Sequence, residues 1–160
     1  MKQQNKNHRI YIPYDIVVNQ TIKCDVSSSH HIKNVLRIKN TEDVILFNGD
    51  GKEYAGKVFH DGSTKISVSS FLRAVNVNSH KISLAQCIPS SKYMDMAIQK
   101  SVELGINQII PIISKRSHPG NHIKKLDHWK KIIIHATEQS NGLIIPKLHN
   151  VILFDDFLDK

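Results

Sequence analysis

The segment 92–105 holds the side chains of this chain that are best suited to chemistry. Read as a helix, it has a core-facing stripe at the i, i+3, i+4 spacing, formed by Met94, Ala97, Ile98, Ser101 and Val102. The opposite side gathers an ammonium, two carboxylates and an amide within roughly a quarter turn: Lys92, Asp95, Gln99 and Glu103. This polar face is consistent with a solvated surface and also with one wall of a polar site.

A second polar group closes the next predicted helix. Glu138, Gln139, Ser140 and Asn141 precede Gly142, which is typical of a polar last turn before a glycine stop. The same turn would lie near a strand end, and ligands in open α/β sheets bind at loops beyond strand ends. A plain helix end and the lining of a crevice both fit these residues.

The histidines form no metal-binding pattern. His118 and His122 are four residues apart, but a Pro-Gly pair between them prevents a shared helical face. His128 and His135 share a helix face without a third ligand, and no HExxH motif or cysteine partner occurs. Glycine-rich nucleotide loops and GxSxG are also absent from the sequence. We therefore predict neither a metal site nor a serine nucleophile.

The composition favours a polyanionic partner. The chain has 160 residues, with 22 lysines and arginines against 14 aspartates and glutamates, a net charge of +8. Nucleic acid is the first candidate partner and an anionic membrane surface the second. The apolar runs are too short to cross a membrane, and the N-terminus lacks the apolar stretch of a signal peptide. Two isolated cysteines, Cys24 and Cys87, fit a reducing cytoplasm.

Residues 1–76 have the pattern of a small β-rich domain. Short strands are predicted at 9–12, 44–47, 53–59 and 65–69, with turns at 48–51 and 61–62. An amphipathic helical turn at 29–37 contains His30, His31 and Arg37, which fit a solvated helix cap or contacts to phosphate and bases. Several short strands with one short helix predict a small barrel.

Residues 77–160 alternate between strands and helices, which predicts a parallel sheet. Strands are predicted at 81–88, 107–113 and 146–152, and helices at 92–104 and 123–140. A serine pair at 90–91 supplies an N-cap and Gly105 the C′ glycine. Pro111 removes one donor from its strand, so that strand is predicted at an edge or a bulge. The second helix should bury Leu126, Trp129, Ile133, Ala136 and Ser140.

The chain stops where residues 155–160 begin a third helix. A parallel sheet needs both faces covered and its edges protected. We therefore expect this second domain to be incomplete within the chain, with completion by a partner chain as the alternative.

Four segments occur in a fixed order along nearly the whole chain. They are Arg9-Ile-Tyr, then His30-His31-Ile-Lys-Asn-Val-Leu-Arg37, then Phe47-Asn-Gly-Asp-Gly51 with Glu53-Tyr54, and last Lys92 with Ile98-Gln-Lys-Ser-Val-Glu-Leu-Gly105, Trp129 and Ala136-Thr-Glu-Gln-Ser140. Together they resemble the small-subunit rRNA (uracil-N3) methyltransferase E family. Ordered co-occurrence of four segments is hard to obtain by chance.

The resemblance implies an α+β chain with two domains. Residues 1–76 would form a PUA-like β-barrel that binds RNA, and residues 77–160 the first part of a SPOUT-type α/β domain with a trefoil knot. The implied reaction is methylation of one uridine N3 in 16S rRNA by a homodimer, with S-adenosylmethionine as methyl donor. The family's knot lies downstream of residue 160, so we expect no cofactor-binding residue in this chain and no activity from these residues alone.

The same resemblance implies site residues. A polar wall near the target base would be formed by Lys92, Gln99, Glu103, Glu138 and Gln139. RNA contacts would come from Arg9, His31, Arg37, Lys100 and Arg116. Two departures from the family pattern bear on these contacts: Asn141 and Gly142 replace a usual glycine and arginine, and Lys115 stands where glutamate is common.

Two further functions fit the composition. A catalytically inactive RNA-binding module would bind RNA in a salt-dependent manner without taking up S-adenosylmethionine. An interaction or structural protein would keep any rRNA affinity unchanged when Arg9 and Arg37 are replaced together by alanine.

Overall fold

The computed structural model describes residues 8–75, 81–117, 120 and 123–159. The chain divides into two compact units, Met1–Asn76 and Val77–Lys160. The predicted linker at 76–79, and His118 and His122, lie outside the described residues. No helix in the described ranges is long and apolar enough to cross a bilayer.

The first unit is built on a five-stranded mixed sheet. Its strands are β1 (His8–Tyr11), β2 (Thr21–Lys23), β3 (Asp43–Phe47), β4 (Lys52–Asp61) and β5 (Ser63–Ala74). Their order is β1-β3-β4-β5-β2, with β1 parallel to β3 and every other pair antiparallel. The predicted helical turn is α1 (Val26–His30), which continues as a π-helical turn from His31 to Val35.

The sheet curls around one apolar core. Alternate residues of the strands point inward, as in Val44 and Leu46 of β3 and Ile66 and Val68 of β5. Irregular register between β4 and β5 bends the sheet near Gly56, where an added Cβ would lie 2.9 Å from Leu46 Cδ1. No ladder joins β1 to β2 among residues 8–75, so the barrel is open on that side.

The second unit is a parallel sheet with helices between its strands. In chain order it contains β6 (Ser83–Cys87), α2 (Ser91–Glu103), β7 (Gln108–Ile113), a 3-10 turn (Ile123–Lys125), α3 (Leu126–Gln139), β8 (Lys147–Leu148), β9 (Ile152–Leu153) and α4 (Phe154–Leu158). The strand order is β6-β7-β8, and β9 also pairs with β7. Right-handed crossovers between neighbouring parallel strands place α2 and α3 on the same face. Their shared core includes Met94, Ile98, Trp129, Ile133 and Ala136.

The prediction that Pro111 marks an edge strand or a bulge is wrong, because β7 is the central strand. Carbonyl groups alternate in direction along it: Ile109 accepts the N–H of His149, and Ile112 accepts the N–H of Ile88. The backbone nitrogen of Pro111 therefore points in the same direction within the sheet as the backbone groups of Ile109, toward β8 and β9. On that side β8 pairs only with residues 108–109 and β9 with 112–113. The missing N–H falls in the gap between the two short strands.

Three other details differ from the sequence prediction. The single strand predicted at 146–152 is divided into β8 and β9. Ser140 is exposed rather than buried, because α3 ends at Gln139. The helix start at Ser90 is in the predicted place, but its side chain makes no cap hydrogen bond.

Gly105 ends α2 as predicted. Its φ of +84° lies in the left-handed region. The Gly105 N–H donates to the Val102 carbonyl (2.9 Å), and the Ile106 N–H donates to the Ser101 carbonyl (3.2 Å). This is the paired pattern of a Schellman motif, which satisfies the last carbonyls of the helix.

We expect Gly105→Ala to destabilise the second unit by about 1 kcal/mol, because only the backbone conformation opposes the new methyl group. No atom lies within 4 Å of the place that this methyl group would occupy. Urea unfolding followed by the fluorescence of Trp129, the single tryptophan, measures the change. Gly105→Asn is the matched variant and should cost less, since asparagine tolerates this region. Equal stability of the alanine variant and the parent would contradict the assignment.

Candidate functional site

A pocket opens at the carboxyl ends of β7 and β9. Its volume is about 590 Å³, and it is lined by Ile113, Ser114, Lys115, Arg116, Leu153, Phe154 and Asp155. Ligands of open α/β sheets bind beyond the carboxyl ends of the strands, because the loops there converge on one crevice. A volume in this range accommodates a small-molecule or nucleotide group.

A tight turn after β7 presents the two cations of this pocket. The Ser114 N–H donates to Ser117 Oγ (2.9 Å), and the Ser117 N–H donates to the Ser114 carbonyl (3.0 Å). Ser117 Oγ also donates to the Ile112 carbonyl (3.3 Å), which ties the turn to the end of the strand. Lys115 and Arg116 are exposed, and neither forms an ion pair with a described residue. The turn is thus a fixed, positively charged rim.

A polar seam runs along the solvent side of α2 and α3. Lys125 Nζ donates to Ser91 Oγ, and His128 Nε2 lies 2.9 Å from Asp95 Oδ2. One turn further along α2, Gln99 faces a depression of about 260 Å³ that is also lined by Ile132, His135, Ala136 and Gln139. The predicted polar face is therefore neither wholly solvated nor isolated, because Asp95 and Gln99 lie beside residues of α3.

The far end of the seam is a small hydrogen-bonded group. Gln99 Nε2 donates to Glu103 Oε1 (2.8 Å), and Lys100 Nζ donates to Glu103 Oε2 (2.8 Å). The hydrogen bond from Lys100, followed by that from Gln99, lowers the pKa of Glu103. A carboxylate with a lowered pKa is a weaker base. Glu103 is consequently better suited to orienting Gln99 and Lys100 than to accepting a proton.

The residues of the predicted polar wall do not all lie together in the structure. Gln99, Lys100 and Glu103 are joined by hydrogen bonds, and Gln139 lines the same depression as Gln99. Glu138, by contrast, is 8% exposed and does not line it.

Lys92 lies in the first turn of α2, at the carboxyl edge of the sheet, whereas Glu103 lies at the amino edge. The helical rise over these residues is about 16 Å. That length exceeds a single base, so Lys92 and Glu103 would contact different nucleotides or different groups.

His128 and His135 are exposed, in agreement with the prediction of surface or RNA-facing histidines, and both also belong to the seam. The residue spacing contains a signal that these histidines lie along one side of α3. Asp95 and Gln99 are four apart on α2, and His128 and His135 are seven apart on α3, so each pair follows one side of its helix. Only the packing of α2 against α3 shows that these sides adjoin.

In the first unit, Arg9 is held within the sheet rather than presented to solvent. Its Nη1 donates to Glu53 Oε2 (2.6 Å), its guanidinium lies 4.9 Å from the centre of the Phe47 ring, and its side chain is 7% exposed. Arg73 Nε donates to the other oxygen of Glu53 (2.6 Å) and remains 50% exposed. This placement favours a structural role for Arg9. Arg73 is the guanidinium that solvent reaches, and sequence reasoning missed it because it depends on the register Glu53 opposite Arg73.

The Glu53 carboxylate is charged because two arginines contact it. Burial alone raises the pKa of Glu53, but the hydrogen bonds from Arg73 and Arg9, and then their charges, outweigh the effect of burial, so the pKa of Glu53 is lowered.

The Cys24 thiol has no such compensating partner among the described residues. Burial raises its pKa to about 11, with a smaller effect from Asp25. The Cys24 thiol is therefore protonated at neutral pH and is a poor nucleophile.

The other predicted RNA contacts of the first unit, His31 and Arg37, lie near opposite ends of its π-helical segment. His31 is half-buried and begins the π-helical segment. Arg37 is exposed with a φ of +55°, directly before Ile38, whose N–H donates to the Ile32 carbonyl (3.0 Å). The positive φ turns the chain sharply and leaves the Arg37 side chain in solvent.

Comparison with protein-family models gives two matches. A model described as an RNA methyltransferase domain matches residues 76–160, and one described as an RNA methyltransferase PUA domain matches residues 25–69.

Curated relatives carry the name ribosomal RNA small subunit methyltransferase E. The protein of Buchnera aphidicola subsp. Schizaphis graminum is 34% identical over 148 residues, covering 89% of this chain and 60% of the relative. That of Rickettsia conorii is 31% identical over 160 residues, covering 97% of this chain and 64% of the relative. The chain spans about 60% of the length of the curated relatives that it matches.

Solved structures show the same likeness. The ribosomal RNA small subunit methyltransferase E of Neisseria gonorrhoeae, bound to S-adenosyl methionine, has a TM-score of 0.88 at 32% identity, covering 96% of this chain and 66% of that one. A protein of Legionella pneumophila, in complex with the same cofactor, has a TM-score of 0.90 at 32% identity, covering 97% of this chain and 66% of that one.

We expect Glu53→Gln to destabilise the first unit by about 3 kcal/mol at pH 7, because it leaves the buried Arg9 charge without a carboxylate. The effect should depend on pH. The folded-state pKa lies below the unfolded value of about 4.3, so the stabilisation is complete above that pH and is lost as the pH falls through the folded pKa. The difference between parent and variant should therefore shrink below about pH 4.

Amide hydrogen exchange of β3 and β4, measured from neutral to acidic pH, follows this difference. Asp15→Asn is the control, because Asp15 is an exposed carboxylate of the same unit. A constant difference between the parent and Glu53→Gln across the whole pH range would count against a charged Glu53.

Proposed function

We propose, because this chain belongs to the RNA methyltransferase family, that it binds small-subunit ribosomal RNA and that the whole protein methylates a uridine of that RNA. The observation that carries the proposal is the match of the RNA methyltransferase domain model to residues 76–160. The PUA domain model at residues 25–69 of the same chain supports RNA binding by the first unit. The relatives named as small subunit methyltransferases indicate the class of RNA.

The proposed target atom is N3 of uracil. Its proton must leave as the methyl group arrives, and N3 is involved in base pairing, so the base has to be unpaired or flipped before reaction. An enzyme gains much of its acceleration by holding donor and acceptor in line. The residues of this chain would then act mainly by holding the RNA, with phosphate contacts that fix its register.

We propose S-adenosylmethionine as the methyl donor, supported by the cofactor in the Neisseria and Legionella structures. When bound, this cofactor supplies a methyl group activated by a sulfonium. The pocket at the carboxyl edge does not fit it well. Lys115 and Arg116 place two positive charges against the one carboxylate of Asp155, and the cofactor itself carries a net positive charge. No step is assigned to the cofactor at this pocket.

The same charges suit a phosphate of the RNA. Arg116 offers a planar guanidinium for a phosphate oxygen, and Lys115 adds a second cation on the same rigid turn. Lys92 shares the carboxyl edge with this turn by topology. The amides of Gln99 and Gln139 can donate to and accept from a base edge, so their depression is proposed to hold a nucleotide beside the target.

Three further properties are proposed for the whole protein. A SPOUT-type fold of the second unit is supported by its parallel sheet with intervening helices. Action in the cytoplasm is supported by two free cysteines, Cys24 and Cys87. The homodimer implied by the sequence resemblance stays a prediction, which light scattering of the whole protein would test.

Methyl transfer by the whole protein tests the function. Small ribosomal subunits that lack the modification are incubated with S-adenosylmethionine labelled in its methyl group, and the RNA is digested to nucleosides for mass spectrometry. We expect one labelled 3-methyluridine per particle. A different methylated nucleoside would contradict the N3 assignment, and RNA binding without incorporation would favour a catalytically inactive RNA-binding module.

Arg116→Ala tests the pocket. We expect weaker binding to ribosomal RNA for every sequence tried, with the slope of log affinity against log salt reduced by about 1, as for one lost phosphate contact. Filter binding at several salt concentrations measures both quantities. Lys131→Ala, which removes an exposed cation on α3, is the matched control. If both substitutions weaken binding equally, Arg116 contributes only to the overall positive charge and does not make a specific phosphate contact.

A further inference from the structure

One face of the first unit carries a row of side chains that the proposed function has not used. In the sheet register, Lys23 of β2 lies opposite Lys65 of β5, and Lys65 lies opposite Phe59 of β4. The next row contains Thr21, Ser67 and Lys57 in the same order of strands. We call the set Lys23, Lys65 and Phe59 the lysine row.

The lysine row faces away from the barrel core. The residues next to it along each strand, Ile22, Ile66 and Val58, are all core residues with at most 6% exposure. Because side chains alternate between the two faces of a strand, the row lies on the opposite face. Lys23 is exposed, and Lys65 and Phe59 are partly exposed.

The two lysines oppose each other without a neutralising partner. Side chains directly opposite in an antiparallel pair have Cβ atoms about 5 Å apart, and like charges there are destabilising. Neither lysine has an ion-pair partner among residues 8–75, whereas Lys57 in the next row pairs with Asp43 (3.5 Å). The nearby Asp25 accepts the Ser28 N–H (2.7 Å) in a helix cap. Asp61 shares the face but lies opposite Ser63, without an ion pair. An anion bound between Lys23 and Lys65 would remove this repulsion.

Phe59 adds a flat apolar surface beside the two charges. A partly exposed aromatic ring next to cations on a sheet is the arrangement on which single-stranded nucleic acids stack a base while their phosphates meet lysines. Thr21 and Ser67 supply hydroxyl groups in the adjacent row. A protein partner with an acidic surface would use the charges but would not need the ring.

We propose that the lysine row is a binding site for single-stranded RNA, with phosphates at Lys23 and Lys65 and an unpaired base stacked on Phe59. The proposal rests on the proposed function, since it takes RNA as the partner of this chain, and it adds the place and the strandedness of the contact. It also assigns barrel contacts to residues other than Arg9, whose guanidinium is occupied by Glu53.

Lys65→Glu separates binding from stability. A carboxylate opposite Lys23 would turn a repulsive cross-strand pair into an attractive one, so thermal unfolding should occur at the same temperature as in the parent or higher. Affinity for a short, labelled, uridine-rich single-stranded RNA should fall about tenfold in fluorescence anisotropy, and the salt slope should fall by about 0.7 for each lost phosphate contact. Lys131→Glu on α3 is the control with the same change in net charge, and its affinity should fall far less.

Phe59→Leu tests the stacking. It keeps an apolar side chain but removes the ring, so single-stranded affinity should fall about tenfold while duplex RNA of the same sequence is bound as by the parent. Equal losses for single-stranded and duplex RNA would overturn the base contact, and an unchanged affinity of Lys65→Glu would overturn the site.

These outcomes are distinct from failure of the proposed function. If the parent chain binds RNA and the whole protein methylates uridine while both variants bind normally, only the lysine row is wrong. If the parent chain binds no RNA, the proposed RNA partner fails and the lysine row fails with it.

Discussion

In the second unit, neighbouring strands are parallel, so each helix must carry the chain from the carboxyl edge of the sheet back to the amino edge. This requirement fixes the direction of α2 and α3 and places both on one face. It also fixes which polar residues can meet. The first turn of α2, with Lys92, shares an edge with the cationic turn at Arg116, while Glu103 and Gln139 end their helices at the other edge. A polar face that is continuous along the helix therefore extends from one edge of the sheet to the other.

The positive charge of the chain divides into neutralised and free groups. Arg9 is bound by Glu53, Lys100 by Glu103 and Lys57 by Asp43. Using such a cation for RNA would mean breaking an ion pair, and for Arg9 this would remove one of the two arginines that hold the buried Glu53 carboxylate. The cations without an ion-pair partner in the described residues include Lys23 and Lys65 on the first unit, and Lys115 and Arg116 on the second. These are the groups from which a polyanion gains most.

Much of the architecture follows from local patterns. Alternating strands, the turns at 48–51 and 61–62, and the glycine end of α2 were all predicted, because each depends on a few adjacent residues. The errors depend on distant ones. Strand β2 has three residues and exists through its pairing with β5, and Pro111 is tolerated in a central strand because β8 and β9 leave a gap opposite it. The exposure of Ser140 is an exception with a local cause, because α3 ends one residue before it.

From sequence alone came the two-part α+β organisation, the basic charge, most of the core-facing residues of α2 and α3, and the resemblance to an RNA methyltransferase family. These properties reside in composition, periodicity and short segments, which need no knowledge of distant contacts. The partners of the polar groups came only from the folded chain. Glu53 meets Arg9 across 44 residues, and Lys23 faces Lys65 through strand register. Such meetings are set by the pairing of strands and the packing of helices far apart in the chain, where a shift of one residue would turn every side chain to the opposite face.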